Sequence, residues 1–500
     1  MPKKELIDKS LQKLIKEKPY IVTHKPGFPN IGTREDKQKY GDAVRKIEIA
    51  WDFYDVSLYN IKEQKSTIKL GSGNPIDYKP FPDAVKALRH NKLRKSYQYP
   101  PAAGDEICRK QIVDYLIEEG FPKKLNIDNT IVTCSTTQGF YLILKSLFRP
   151  YDCIIMTAPN YGLFAFMPER LNMSVEVIEL SEKNDYKLDV KELDKKILDI
   201  NKKLKEKYKD KLDYVPTVRA FLNINPHNPL GTVLSNADTK LLKNISDVCK
   251  KHGVFIIDDL IYRDLSFDRN KIAKPIGTIP KSFDNTISLF GLSKSYGLAN
   301  TRAGIIVAND AVIRLIRDNL FYIMDSAPYI QSLLLASTYN NTKKRKKHYN
   351  QYFKKVIDIY KYKCSLTIAM FEGIESVKDT KYYQKIKNTI NKYLNNKEDY
   401  LLALKGIPLT KIKIIPQSGF FIIIDFTKVK DYSSINNEQD LLEYLYKKCN
   451  VKFLVGQSFS WPNEKEIIVR ITYSLSDEEL VKAFFKINIA IRELIESETN

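Results

Sequence analysis

A lysine placed just past an apolar run, with an arginine a fixed short distance beyond it, is a candidate for covalent chemistry. In SLFGLSKSYGLANTRAG the run ends at Lys294. Ser293 precedes the lysine, and Arg302 follows eight positions later with Ala303-Gly304 behind it. A neutral lysine amine condenses with carbonyl groups, and it needs a rigid mounting to do so. An arginine fork suits a phosphate or carboxylate. Two more apolar runs end in reactive groups. VFIIDDLIYRDLSF carries Asp258 and Asp259, with Tyr262 three residues past the latter. FLNI leads into the turn Asn225-Pro226-His227-Asn228-Pro229-Leu230-Gly231-Thr232. Side chains alternate across a strand, so Asp258 and Asp259 point to opposite faces and only one can serve a site there. Arg470 lies inside the apolar run IIVRITYS, where an unpaired charge would be costly, and this favours an anion as its partner.

Other segments supply binding groups. IVTCSTTQGFYLILKSLF reads as strand, small-residue turn and helix. The N–H groups of a helix start form an anion site, here at Ser135, Thr136 and Thr137. Tyr161 follows the strand-like run in YDCIIMTAPNYGLF, Gly73 lies in IKLGSGNPIDYKPFP, and Tyr99 stands five residues before Gly104 in SYQYPPAAGDEICRKQ.

Together these segments resemble the signatures of pyridoxal-phosphate (PLP) enzymes of fold type I, the aspartate aminotransferase-like class I/II aminotransferases. The resemblance covers roughly residues 68–495. The intervals Asn228 to Asp259 (31), Asp259 to Lys294 (35) and Lys294 to Arg302 (8) are close to those of the family. The resemblance implies a role for each residue. Lys294 forms the internal aldimine and shuttles the proton. Asp259, favoured over Asp258 by its spacing to Tyr262, pairs with the pyridine nitrogen. Asn228 and Tyr262 hydrogen-bond the phenolic oxygen, and Tyr161 stacks on the ring. Ser135, Thr136, Thr137, Ser293 and Arg302 hold the phosphate. Tyr99 reaches the phosphate of a neighbouring subunit, so a homodimer is implied. Arg470 binds the substrate α-carboxylate, with Gly73 and Asn228 beside it. Two departures stand out. Gly291 sits where many relatives carry a phosphate-binding serine, and Leu230 replaces a threonine.

The implied activity is transfer of an α-amino group between an L-amino acid and a 2-oxo acid. The same scaffold also hosts PLP-dependent lyases and decarboxylases, among them carbon–sulfur lyases and cyclopropane-forming (ACC) synthases, and PLP-binding transcriptional regulators. Fold does not choose among these chemistries. A regulator needs an N-terminal winged-helix module, and the first 65 residues show no clear three-helix pattern.

The elements that must position these residues are legible in the texture. From about residue 68, buried apolar runs of four to six residues alternate with helix-period segments. That pattern implies an α/β fold with a mostly parallel central sheet sandwiched by helices. A lysine-rich helix is expected over 190–214, and a long helix interrupted near Phe371-Glu372-Gly373 leads into a smaller α+β domain. The expected division is an N-terminal extension at 1–67, with an amphipathic start at Leu6, Leu11, Leu14 and Ile15, a large PLP-binding domain at 68–335 and a small C-terminal domain at 336–500.

Composition narrows the classes. With 43% hydrophobic and 28% charged residues, the chain can bury a sizeable core and is not a disordered one. No run reaches the ~20 uncharged apolar residues of a membrane span, and the N-terminus has no apolar signal core, so a cytoplasmic location is expected. Six cysteines, with no CxxC pair, read as reduced thiols and not as a metal site. The net charge of +21 comes from lysines that outnumber arginines about fourfold and are dispersed. Its densest run, Lys343–His348, reads as the solvated face of a helix, so neither nucleic acid nor membrane is expected as a partner.

Overall fold

The computed structural model describes residues 22–23, 29–30, 66–75, 78–90, 98–394, 396–432 and 434–499. The chain divides into two compact units, Met1–Glu63 and Gln64–Asn500. In the first, the described residues form one antiparallel pair, Val22–Thr23 with Pro29–Asn30. The amphipathic start expected over 6–15 lies outside the described residues.

The second unit is built on a seven-stranded sheet. Its strands are β1 (Thr130–Thr133), β2 (Cys153–Ala158), β3 (Ser174–Glu179), β4 (Val218–Ile224), β5 (Phe255–Asp259), β6 (Thr286–Gly291) and β7 (Gly304–Val307), in spatial order β1-β7-β6-β5-β4-β2-β3. The run from β3 through β2, β4 and β5 to β6 is parallel, and β7 is antiparallel to both its neighbours. Helices cover both faces of such a sheet, which is why the inner strands are apolar throughout. All six residues of β2 and of β6 are buried, whereas edge strand β3 turns Ser174, Glu176 and Glu179 outward.

The lysine-rich helix spans Val190–Tyr208 and ends sooner than the sequence suggests, because the chain must reverse to start β4 at Val218. Its Leu193, Ile197 and Ile200 enter the core beside Leu242 and Cys249. The charge run at 343–348 opens a 30-residue helix, Lys343–Glu372, that stops at Gly373 with φ 89°. The run is not wholly solvated as expected. Arg345 is buried, with its guanidinium over the rings of Tyr115 (4.8 Å) and Tyr349 (4.3 Å) and a 2.6 Å bond to the Thr338 carbonyl.

A second, antiparallel sheet contains β8 (Lys411–Ile414), β9 (Phe421–Asp425), β10 (Leu454–Val455) and β11 (Ile468–Thr472), in the order β8-β9-β11-β10. The closing helix Asp477–Thr499 follows it. The fold is therefore the expected one: a mostly parallel sheet with helices and a smaller α+β part. Among the described residues no helix is long and apolar enough to cross a membrane, and no group of three or more His, Cys, Asp or Glu is placed to hold a metal ion.

Candidate active site

In an open α/β sheet, ligands collect outside the carboxyl ends of the parallel strands. Four of the sequence candidates sit at or just past such ends: Tyr161 after β2, Asn228 after β4, Asp259 at the end of β5 and Lys294 after β6.

The two strand-end aspartates divide by face. Asp258 is fully buried and accepts from Asn223 Nδ2 (2.7 Å) and the Ile276 N–H (2.8 Å). It ties β4 and β5 to the following loop. Asp259 accepts from the Ile261 N–H at 3.1 Å and lies within electrostatic range of Lys294. Burial pushes the Asp258 carboxyl up to about 6 and the Asp259 carboxyl up to about 7, with the Asp258 charge adding to the latter. Asp259 is thus a buried carboxylate poised for a cation.

The Lys294 amine donates to the Gly73 carbonyl at 2.7 Å. Burial, then the charges of Arg470 and Arg302, push it down to about 8, against the pull of Asp259. Ser293 is buried, and Arg302 Nη1 approaches its hydroxyl at 3.5 Å while donating to the Ala299 carbonyl at 2.8 Å.

The anion site forms where β1 meets the helix Ser135–Leu147. Ser135 has φ 83°, a backbone region that favours glycine, which explains why glycines suit this turn. Thr136 is buried, and Thr137 shares the same first turn. The turn is pressed against β7. A Cβ at Gly304 would lie 2.6 Å from the Ser135 carbonyl carbon and 2.8 Å from the Thr136 nitrogen. Gly304 in the arginine motif is therefore a packing requirement. Gly291 is explained the same way, since a Cβ there would stand 2.7 Å from Ile261 Cδ1 and 3.1 Å from Thr136 Cγ2. Leu230 packs with Leu180 and Tyr186 in an apolar cluster, so its side chain serves packing.

Arg470 extends from β11 toward this group. Its Nη1 donates to Asn228 Oδ1 at 2.9 Å and its Nη2 to the Gly71 carbonyl at 3.1 Å. The first bond turns the Asn228 Nδ2 amide away from the arginine. Its guanidinium lies 4.1 Å from the centroid of Phe421, and Tyr262 packs edge-on against the same ring at 5.9 Å. Gly73 comes so close to the lysine that a Cβ there would be 3.5 Å from Nζ.

The structure thus brings together Lys294, Gly73, Asp259, Asn228, Arg470 and Tyr262, with Arg302, Ser293, Ser135 and Thr136 beside them. Tyr161 starts the helix Gly162–Arg170, half-buried and edge-on to Phe164 at 5.4 Å. Tyr99 is 87% exposed, so it is not packed into the cluster of its own chain. Two groups escaped the sequence reading: the Gly71 carbonyl on Arg470, and Tyr78, whose hydroxyl donates to the Lys294 carbonyl at 2.5 Å. Tyr78 lies in the quoted segment IDYKPFP, but no spacing rule singles it out.

The family model for aminotransferase class I and II matches residues 65–487. The chain belongs to that family. As a class I/II aminotransferase it is a PLP-dependent transaminase, moving amino groups between amino acids and 2-oxo acids. The aspartate aminotransferase of Pyrococcus horikoshii is 22% identical over 458 residues, covering 91% of this chain and 98% of the relative. An S-alkyl-thiohydroximate lyase of Arabidopsis thaliana is 26% identical over 287 residues, 54% of this chain and 56% of the relative. Among solved structures, the aspartate aminotransferase of Rhizobium meliloti superposes with a TM-score of 0.67 at 16% identity, covering 93% of this chain and all of the other. The aminotransferase fold and the cluster agree: a carboxylate, an amine, an amide donor and a helix N-terminus with an arginine are the groups that PLP requires.

Proposed function

We propose that this aminotransferase works through Lys294, Asp259, Asn228 and Arg470. The observation that carries this reading is the convergence of an amine pushed down to about 8 and a buried carboxylate in one cluster with an arginine held at its side. When bound, PLP supplies an aldehyde that condenses with amines and a protonated ring that accepts electrons.

Each residue then has a physical task. Asp259 would hold the pyridine nitrogen and keep a proton there. Asn228, through Nδ2, and Tyr262 would donate to the phenolic oxygen. Ser135, Thr136 and Thr137 would offer helix-start N–H groups to the phosphate, with Ser293 and Arg302 as further phosphate ligands. Tyr161 would pack against the ring. Arg470 takes the substrate α-carboxylate as a fork, exchanging its bonds to Asn228 and Gly71 for two charge-assisted ones. Gly73 leaves room beside that carboxylate. With its pKa pushed down to about 8, the Lys294 amine is about half neutral at pH 8, so it can take the proton from the substrate Cα and return it.

The large PLP-binding domain is assigned to residues 68–335 and the small C-terminal domain to 336–500. The enzyme is assigned as a cytoplasmic homodimer in which Tyr99 of one copy serves the phosphate of the other. The 87% exposure of Tyr99 supports the cross-subunit role, and the six cysteines, none of them in a disulfide, support a reducing compartment.

The test is a half-reaction. PLP-loaded enzyme is mixed with single amino acids and no acceptor, and released 2-oxo acid is counted. One equivalent per site, with turnover restored by a 2-oxo acid, supports the reading. Continuous product formation without an acceptor moves the assignment to a lyase.

A further inference from the structure

Gly73, Tyr78 and Phe81 each grip the lysine loop. The Gly73 carbonyl takes the amine of Lys294 at 2.7 Å, and the Tyr78 hydroxyl donates to the Lys294 carbonyl at 2.5 Å. The Phe81 N–H donates to the Tyr296 carbonyl at 3.0 Å, and the two rings meet edge-on at 5.4 Å. Tyr78 also explains a glycine of the lysine signature. A Cβ at Gly297, which has φ 66°, would stand 3.1 Å from Tyr78 Cε2. On its other sides the Tyr78 ring is held edge-on by Tyr352 (5.9 Å) and Tyr360 (5.5 Å). Burial among these tyrosines pushes the Tyr78 phenol well above its usual value, so the hydroxyl stays a donor over the working pH range.

We propose that Tyr78 is a positioning residue for Lys294: its hydroxyl anchors the lysine main chain, and the anchored main chain places the amine at the Gly73 carbonyl and at the cofactor site. The proposal rests on the assignment of Lys294 as the PLP-bonding lysine. Tyr78 touches no reacting atom. A lysine amine stands at the end of a four-carbon stem, and its mean position is only as well defined as the Cα from which the stem starts. Catalytic geometry of this kind has to be held by neighbouring contacts to within a fraction of an ångström. With the hydroxyl gone, the ring keeps its packing but the lysine carbonyl loses a donor. The amine is then free to sample more solvated positions, where protonation is easier.

Three variants separate the roles. Tyr78→Phe removes only the hydroxyl. Tyr352→Phe removes the hydroxyl of a neighbour in the same aromatic group, one with no hydrogen-bond partner among the described residues. Lys294→Met removes the amine. In the apoprotein, modification of Lys294 by a small amine-selective reagent is followed by peptide mass spectrometry from pH 6 to 10. The wild type is expected to titrate near 8. In Tyr78→Phe the midpoint moves up toward the ordinary lysine range, and in Tyr352→Phe it stays. In the PLP-loaded enzyme, kcat of Tyr78→Phe falls about five- to tenfold, the scale of one hydrogen bond, while KM for the amino acid stays within about twofold. Tyr78→Phe curves that superpose on the wild type overturn the proposal. So does an equal shift in Tyr352→Phe, which would reduce Tyr78 to packing. If Lys294→Met retains the cofactor's absorption band, the lysine assignment fails, an outcome distinct from either.

Discussion

Arg470 and Asn228 are joined by a 2.9 Å hydrogen bond between side chains 242 residues apart in the chain. One comes from the antiparallel sheet and the other from the turn after β4, so the bond couples the two sheets at the candidate site. It also holds the arginine fork in place before any carboxylate arrives. Arg470→Lys keeps the charge and loses the fork. KM for the amino donor should rise about 10- to 100-fold, the scale of one charge-assisted hydrogen bond, with a smaller change in kcat. Steady-state kinetics with saturating oxo acid measure it.

The adjacent aspartates should behave as different kinds of residue. Asp259→Asn should lower kcat by about 100-fold or more, the usual cost of removing a preorganised electrostatic group. Asp258→Asn should leave kcat within about tenfold and act on the stability of the apoprotein. The Asp258 carboxyl is raised in the fold, from its ordinary 3.8 to about 6. The native state therefore holds a proton that the unfolded chain releases. The stabilisation is complete below about pH 4 and is lost as pH rises through 6. The wild-type advantage over Asp258→Asn should fall by about 2 kcal/mol between pH 4 and pH 7. Denaturant melts at the two pH values measure this difference.

Gly291 and Gly304 carry a packing prediction. Restoring the family's serine with Gly291→Ser should not strengthen phosphate binding. The new side chain meets Ile261 and Thr136, and overpacking of this kind costs about 1–3 kcal/mol. Gly304→Ala drives a Cβ into the Ser135–Thr136 backbone. It should weaken PLP affinity more than Gly291→Ser does, because backbone gives way less readily than the tip of an isoleucine. Equilibrium titration of apoprotein with PLP compares the two.

Tyr99 predicts complementation between subunits. Tyr99→Ala and Lys294→Met homodimers should each have low activity. Mixed and allowed to exchange, they form hybrids in which one site has both residues intact, and activity should rise several-fold above either parent. A mixture that never exceeds its parents would assign Tyr99 to its own chain.

The strand-end residues were legible because their motifs and intervals along the chain resemble those of the family. Lys294, Asp259 and Asn228 each end an apolar run, and a buried run announces itself through composition. The choice of Asp259 over Asp258 rested on its spacing to Tyr262; the structure puts Asp259 within electrostatic range of Lys294. What stayed hidden was contact between distant segments. Tyr78 meets Lys294 across 216 residues, and nothing local in IDYKPFP marks it. The Gly71 carbonyl on Arg470 is main chain and leaves no trace in residue type. Gly291 read as a missing hydroxyl, whereas the space it vacates is filled by Ile261. Arg345 read as one more solvated cation, and its burial depends on Tyr115 and Tyr349, which no charge pattern reveals.

The most direct measurement is the absorbance spectrum of the PLP-loaded protein beside Lys294→Met, followed through addition of an amino donor and then a 2-oxo acid. A visible band should depend on Lys294, bleach stoichiometrically with the donor and return with the oxo acid. The apoprotein should also capture PLP faster as pH rises to about 8, with a plateau above, because only the neutral amine reacts. A band of equal strength in Lys294→Met, or no band in either protein, would contradict the assignment of Lys294 as the cofactor's lysine.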